Sequence, residues 1–357
     1  MEKIKVSRHF NWRDILVPLG AISLGFLVGA VIILVIGQNP LEAYSALLYG
    51  AFGDFNKILG TLTRATPVIF TGLAVSLPFR AGLFNIGVEG QMTMGALAAA
   101  VVGSSFSGLP MALHLPLAIL AAAAVGGFWA LIPGWLKARR GIHEVTNTIM
   151  MNFIAYAILA YLVVERLRMP GQMIPKTPPI ISTATLFRFS DFLPEVTARL
   201  NLGFLLALLV SFVVYYLLWK TTIGYEIRAV GLNSRAAEYG GINVPNRIIL
   251  AMVLSGMLGG LAGAERILGF DRTLVLGFSP GFGFEGIAVA LLGRNHPVGI
   301  LLAALLFGAL SNGGIWINFA TDVPPDIILV LQAVIIFFVA ADQIVHSFFF
   351  SEKKGAV

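Results

Sequence analysis

Long apolar runs separated by short polar connectors dominate this 357-residue chain and decide what it can fold into. Ten can be drawn, at 15–36, 58–79, 83–102, 111–136, 145–164, 202–219, 248–268, 283–293, 298–318 and 327–347. A helix crosses the hydrocarbon core of a bilayer with about 20 apolar residues, so ten crossings use about 200 and leave the rest for loops. Hydrophobic residues make up 57% of the chain and charged residues only 12%, against roughly 25% in a soluble domain. So few charges cannot cover a water-facing surface, which excludes a soluble enzyme, a disordered tail and a fibre. The expected fold is all-α: a polytopic integral membrane helical bundle of about ten transmembrane segments, some broken or half-helical. The 39 glycines suit it, because small residues let helix backbones approach closely.

The run 15–36 is too long for a signal-peptide core and reads as a retained anchor. The segment 41–52 is short and partly polar, better suited to the interface. Basic residues mark cytoplasmic ends. They gather at Lys3, Lys5, Arg8 and Arg13; at Lys137, Arg139 and Arg140; at Lys220, Arg228, Arg235 and Arg247; and at Lys353 and Lys354. With ten crossings all four groups fall on one side, so both termini are expected in the cytoplasm. The chain then divides into a cytoplasmic N-terminus (1–14), a transmembrane domain (15–347) and a cytoplasmic tail (348–357). Within the domain, 165–200 is an external loop and 220–247 a cytoplasmic one. The external loop strains the rule with Arg166, Arg168, Lys176, Arg188 and Arg199, which Glu165, Asp191 and Glu195 dilute. Its prolines at 170, 175, 178, 179 and 194 predict an ordered but irregular segment. The net charge of +6 is therefore a matter of topology, and no nucleic-acid partner is expected.

Several chemistries are missing. No lysine follows a glycine, so there is no phosphate-binding loop for ATP hydrolysis. The five histidines are scattered and cysteine is absent, so neither a metal site nor a cofactor is expected. Two segments are poor spans. Residues 83–102 open on Asn85, Gly87, Glu89, Gly90 and Gln91, and 283–293 contain Glu285 in a run too short to cross alone. Irregular backbone at membrane depth is tolerated only inside protein or beside a water-filled cavity, so these broken segments point to a substrate path. Glu89 and Glu285 either line that path or cap half-helices; a carboxylate at this depth is functional by default. Asn85 and Gln91 suit an uncharged polar substrate or a neighbouring helix, and Phe284 is either core or a stacking surface for a base. The stretches 84–90 and 281–286 within and beside them echo one another, each ending in Glu-Gly. Asn147 and Asn152 lie on different helix faces and suit interhelical hydrogen bonding. Gly256, Gly259, Gly260 and Gly263 form overlapping Gly-x-x-x-Gly pairs, a helix-packing face. In 224–242, Asn233 or Ser234 can cap a short helix near Arg235, and Gly240 or Gly241 can end it.

Ala236-Ala237, followed after three residues by Gly241, resembles the Glu-Ala-Ala-x-x-x-Gly coupling loop of ABC importer permeases, with Arg235 in place of the glutamate. The stretches 84–91 and 281–295 resemble permeases of the sugar and branched-chain amino acid class, most of all its general nucleoside, simple-sugar-type subgroup. The resemblance covers residues 58 to 345. It implies a transport subunit in a bacterial plasma membrane rather than an enzyme, with ATP hydrolysed on a separate cytoplasmic ABC ATPase docked on 224–242. Arg228, Asn233, Arg235, Ala236, Ala237 and Gly241 would form the coupling element; Asn85, Glu89, Gln91, Phe284 and Glu285 would lie near the path. It further implies a second homologous permease completing the pore, a lipid-anchored extracellular substrate-binding protein and a nucleoside substrate. A permease for sugar, branched-chain amino acid or riboflavin is the alternative within the class. An ion-coupled secondary transporter, with the glutamates as ion site, is the alternative outside it.

Overall fold

A computed structural model describes residues 13–324 and 326–349. The expected cytoplasmic N-terminus and tail, including Lys3, Lys5, Arg8, Lys353 and Lys354, fall almost wholly outside these residues. Regular structure among the described residues is helical, with two isolated β-bridges, Lys176 with Val275 and Arg188 with Asn201. In chain order the helices are α1 (Arg13–Val35), α2 (Pro40–Phe52), α3 (Phe55–Arg80), α4 (Val88–Ser105), α5 (Met111–Arg140), α6 (Glu144–Tyr161) and α7 (Gly203–Lys220). They continue with α8 (Thr222–Leu232), α9 (Ser234–Tyr239), α10 (Val244–Ala264), α11 (Phe282–Leu292), α12 (Pro297–Ala320) and α13 (Ile327–Phe349). A π-helical turn extends α6 over Leu162–Arg166 and another extends α10 over Glu265–Asp271.

Each of the ten apolar runs coincides with a helix. Among the described residues six are long and apolar enough to cross a membrane: Phe55–Arg80, Met111–Arg140, Glu144–Arg166, Gly203–Lys220, Val244–Asp271 and Pro297–Ala320. Leu19–Val35, Phe282–Leu292 and Ile327–Val339 are shorter apolar helices. The run at 83–102 differs most from expectation, because its helix starts only at Val88. Asn85 explains the delay: its Oδ1 accepts the Gly87 N–H (2.9 Å), a local bond that competes with helix formation.

The described residues form two compact units, one of residues 48–313 and one of the described parts of the two ends, up to 47 and from 314 on. In the larger unit α10 packs on α4 and α5 through its glycines. A Cβ at Gly256 would strike the Gly126 carbonyl, one at Gly260 the Ala122 carbonyl, and one at Gly263 the backbone of Met92 and Ala96. The overlapping Gly-x-x-x-Gly pairs thus serve two neighbours, as a packing face should. In the unit built from the ends, Gly25 and Gly29 of α1 receive Ile335 and Leu331 of α13. There the Tyr44 hydroxyl donates to the Phe26 carbonyl (2.5 Å).

Helix α3 carries polar attachments at both ends. Asp54 caps it, accepting the Lys57 N–H (2.9 Å) and pairing with Lys57 Nζ (2.8 Å). Beside that end Asn56 donates to the Glu195 carbonyl (3.0 Å) and accepts the Thr197 N–H (2.8 Å) of segment 165–200. At the other end Gly82 turns at φ +75° and touches Gly231 of α8, where any side chain would strike the Arg80 carbonyl. The segments 165–200 and 220–247 therefore attach to opposite ends of a 26-residue helix, about 39 Å apart at 1.5 Å per residue.

Segment 165–200 is ordered and irregular, as its prolines predict, with two short 3-10 turns. Arg188 ties it down by donating to the carbonyls of Gly269 (2.8 Å) and Phe270 (2.6 Å) at the end of the π turn. His114 on α5 is buried, its ring nitrogens bonded to Thr183 Oγ1 (2.7 Å) and the Val102 carbonyl (3.0 Å).

Candidate functional site

The two echoing segments meet. Gly283, near the start of α11, packs so tightly on the backbone of Glu89 that no side chain fits there. Glu89, 1% exposed, accepts the Gly283 N–H (2.6 Å) and a hydrogen bond from the Ser279 hydroxyl. Ser279 Oγ in turn accepts from the amides of Gly281 and Phe282 (both 3.2 Å). The carboxylate therefore sits at the N-terminus of α11, where unpaired amides and the helix dipole favour negative charge. Gly281, at φ +105°, makes the turn that aims α11 at it.

Asn85 and Gln91 are both 1% exposed and bind one another: Asn85 Nδ2 donates to Gln91 Oε1 and Gln91 Nε2 to Asn85 Oδ1, both at 3.3 Å. Asn85 Nδ2 also donates to Ser255 Oγ (2.9 Å), and Ser255 donates to the Ala74 carbonyl (2.6 Å). This network ties the turn before α4 to α10 and α3. Asn152 of α6 joins it from another side, accepting the Gly90 N–H (2.8 Å) and donating to the Ile86 carbonyl (2.9 Å). Its interhelical role is the expected one. Phe284 is 46% exposed, whereas Glu285 is half-buried within electrostatic range of Arg64 and Glu89.

A cavity of about 420 Å³ opens beside these segments. Gly60, Thr63 and Arg64 line it from α3, Arg199 from the end of the irregular segment, and Asn312 from α12. The π turn after α10 supplies Arg266 and Phe270, and the approach to α11 supplies Pro280 and Phe282. Arg266 is paired with Asp271 (2.8 Å) and lies over Phe270 (4.1 Å to the ring centre) and Phe282 (5.3 Å). Arg64 donates to Ser311 (3.1 Å), and Arg199 lies 5.3 Å from the centre of the Phe270 ring. Just outside the cavity Glu265 is buried; one oxygen accepts from Asn201 (2.8 Å) and the other has no protein partner. None of these cavity residues was among the sequence candidates. The signal that marks Arg64, Glu265 and Arg266 is a charge inside an apolar run.

The segment 220–247 folds into two helices meeting at an elbow. Asn233 ends α8 and caps α9, accepting the Ala236 N–H (3.0 Å), while Gly240 and Gly241 (φ +82°) end α9. Ala237 is buried, Arg235 and Ala236 are exposed. Arg228 folds back, donating to the Gly224 carbonyl (3.4 Å) and lying 5.9 Å from the Trp219 ring centre. Leu232 and Tyr239, 89% and 95% exposed, form the apolar tips of the elbow. An ion pair between Arg247 and Glu226 fastens α8 to α10.

Two helix starts joined through Glu89, a cavity lined by three arginines and a two-helix elbow with exposed apolar tips fit a transporter's membrane subunit. Residues 57–340 match the family described as branched-chain amino acid transport system / permease component. The chain is 45% identical over 346 residues to the guanosine ABC transporter permease protein NupP of Bacillus subtilis, covering 96% of this chain and 98% of that one. It is 38% identical over 339 residues to the nucleoside ABC transporter permease protein NupB of Lactococcus lactis, covering 94% and 93%. It is 33% identical over 331 residues to the glucose ABC transporter permease protein TsgB13 of Haloferax volcanii, covering 91% and 87%. The chain belongs to this family of ABC importer permeases and is a multi-pass protein of the bacterial plasma membrane. The alternative of an ion-coupled secondary transporter falls with that assignment.

Proposed function

We propose that this chain is one permease subunit of an ATP-driven nucleoside importer. What supports the substrate class is the similarity, over more than nine-tenths of the chain, to permeases named for guanosine and for nucleosides. The chain crosses the membrane ten times with both ends cytoplasmic. Segment 165–200 faces outward toward a lipid-anchored binding protein, and the α8–α9 elbow faces an ABC ATPase. A second, homologous permease completes the pore. Closure of the ATPase moves the elbow, and the bundle alternates between outward- and inward-facing states.

In this scheme Glu89, Asn85 and Gln91 shape the path by fixing the broken segments, while Phe284 and Glu285 present themselves beside it. The cavity at the outer end of α3 receives substrate. Uptake of radiolabelled guanosine, adenosine, uridine and glucose by a strain deleted for the chain and complemented with it tests the reading. Nucleoside uptake that stops on ATP depletion and survives collapse of ion gradients is the expected result. Glucose uptake without nucleoside uptake would replace it with a sugar importer, the reading that the glucose permease relative favours.

A further inference from the structure

We infer that Arg80 is the positioning residue that makes α11 follow the elbow, by joining the end of α3 to the turn between α11 and α12. The inference rests on the importer reading and deepens it, naming the side chain through which movement of the elbow reaches the path. Arg80 is the last residue of α3. One edge of its guanidinium bridges two successive carbonyls: Nε donates to that of Asn295 (3.0 Å) and Nη2 to that of Arg294 (3.0 Å). Those two residues turn the chain out of α11 with φ of +52° each, a left-handed conformation uncommon for residues other than glycine. Their amides close α11, Arg294 donating to the Leu291 carbonyl (2.9 Å) and Asn295 to that of Ala290 (2.8 Å), so the turn moves as part of the helix.

The other side of Arg80 belongs to the elbow. Its own carbonyl lies against Gly231 of α8, where no side chain fits. Its guanidinium lies 5.2 Å from the centre of the Trp219 ring at the end of α7. Arg228 of α8 lies 5.9 Å from the same ring, and His296, just after the turn, packs on it at 4.9 Å. Helix α11 is fastened to α3 at its start as well: Thr71 donates to the Phe282 carbonyl (2.8 Å), and Gly286 packs on Thr71 with no room for a Cβ. Thr71 and Arg80 are nine positions apart, about 14 Å, and the eleven-residue α11 is about 16 Å long, so the two helices lie side by side. Pinned at both ends, they move together. Without the Arg80 fork, α11 keeps its bonds to Thr71 and Glu89 at the path, but its far end is released from the helix that the elbow abuts. A planar guanidinium holds two carbonyls in one fixed geometry; the ammonium of lysine does not.

The test uses the complete transporter in proteoliposomes: this permease, its partner permease, the ATPase and the binding protein. The labelled solute is whichever of guanosine, adenosine, uridine and glucose the wild type imports, and ATP hydrolysis is measured on the same sample. Arg80→Ala should retain the ATPase and hydrolyse ATP but import about tenfold less solute per ATP. Arg80→Lys, which keeps the charge beside Trp219 and loses the fork, should lose coupling in the same direction with an unchanged melting temperature. It carries the test if the alanine variant does not assemble. Hydrogen exchange across 286–296 should respond in the wild type when ATP and vanadate trap the ATPase closed, and should not respond in either variant. A ratio of solute to ATP unchanged in Arg80→Lys overturns the inference. Uptake and hydrolysis that fall in step with the melting temperature also overturn it, leaving Arg80 a purely structural residue. Loss of the ATPase from the Arg80→Lys complex overturns it by placing the residue in docking. If the wild type imports only glucose, the nucleoside reading fails and the same ratio, read with glucose, decides the inference. Import of none of the four by the wild type overturns both.

Discussion

Glu89 illustrates how a buried charge holds a transporter together. Its carboxylate replaces water for the Gly283 amide of α11 and joins that short helix to the start of α4. Glu89→Ala strands the Gly283 N–H in an apolar setting, a loss of about 1–3 kcal/mol. The purified complex should melt several degrees lower, while Glu89→Gln, which retains an acceptor, recovers most of the difference. An unchanged melting curve for the alanine variant would show that the contact is dispensable. Sequence located this residue but left two roles open. It could not choose, because the Gly283 amide whose bond Glu89 accepts lies 194 positions away. Asn85 and Gln91 were likewise visible as polar residues in a broken segment. That they satisfy one another, with Ser255 as third partner, follows only once α10 is packed beside them.

At the scale of elements, helices were the most legible feature, because twenty apolar residues in a row have few alternatives. The cap at Asn233 and the glycine face of α10 were legible for the same reason: each is a local rule about donors or about space. The π turn after α10 was not. Nothing in its residues announces a wider turn, yet it delivers Arg266 and Phe270 to the cavity, while Arg188, 81 residues before Gly269, holds the carbonyls of Gly269 and Phe270. Close approach at Gly260 is directly testable. Gly260→Val should cost about 1–3 kcal/mol or more by overpacking and reduce the yield of assembled protein. Gly20→Val serves as the control, since a Cβ there meets nothing within 4 Å. Equal yields for the two would refute the packing assignment. At the elbow, Leu232→Ser with Tyr239→Ser should leave the permease folded but reduce the co-purifying ATPase at least about tenfold, as loss of two central apolar anchors does at an interface. Retention of the ATPase at wild-type levels would move the docking site elsewhere. Arg228 is a weaker probe, because its side chain turns inward toward Trp219.

For the whole molecule, the absence of cysteine makes membrane topology easy to read. Met173→Cys on segment 165–200, at a position 96% exposed, should react with an impermeant maleimide added to intact cells. Glu238→Cys on α9 should react only after lysis. The opposite pattern would invert the proposed orientation, and labelling of both from outside would break the ten-crossing arrangement.

In the proposed function helix α3 serves as a lever. One arm carries Arg64 beside the cavity; the other ends at the Gly82–Gly231 crossing under the elbow. Pro67 and Pro78 each remove a backbone hydrogen bond within its span, so the arm can flex as well as pivot. In the proposed importer a push on the elbow reaches Arg64, about 24 Å along the helix at 1.5 Å per residue, through α3 itself. On that proposal an ATPase at the elbow and a substrate in the cavity act on one shared helix and need no contact with each other.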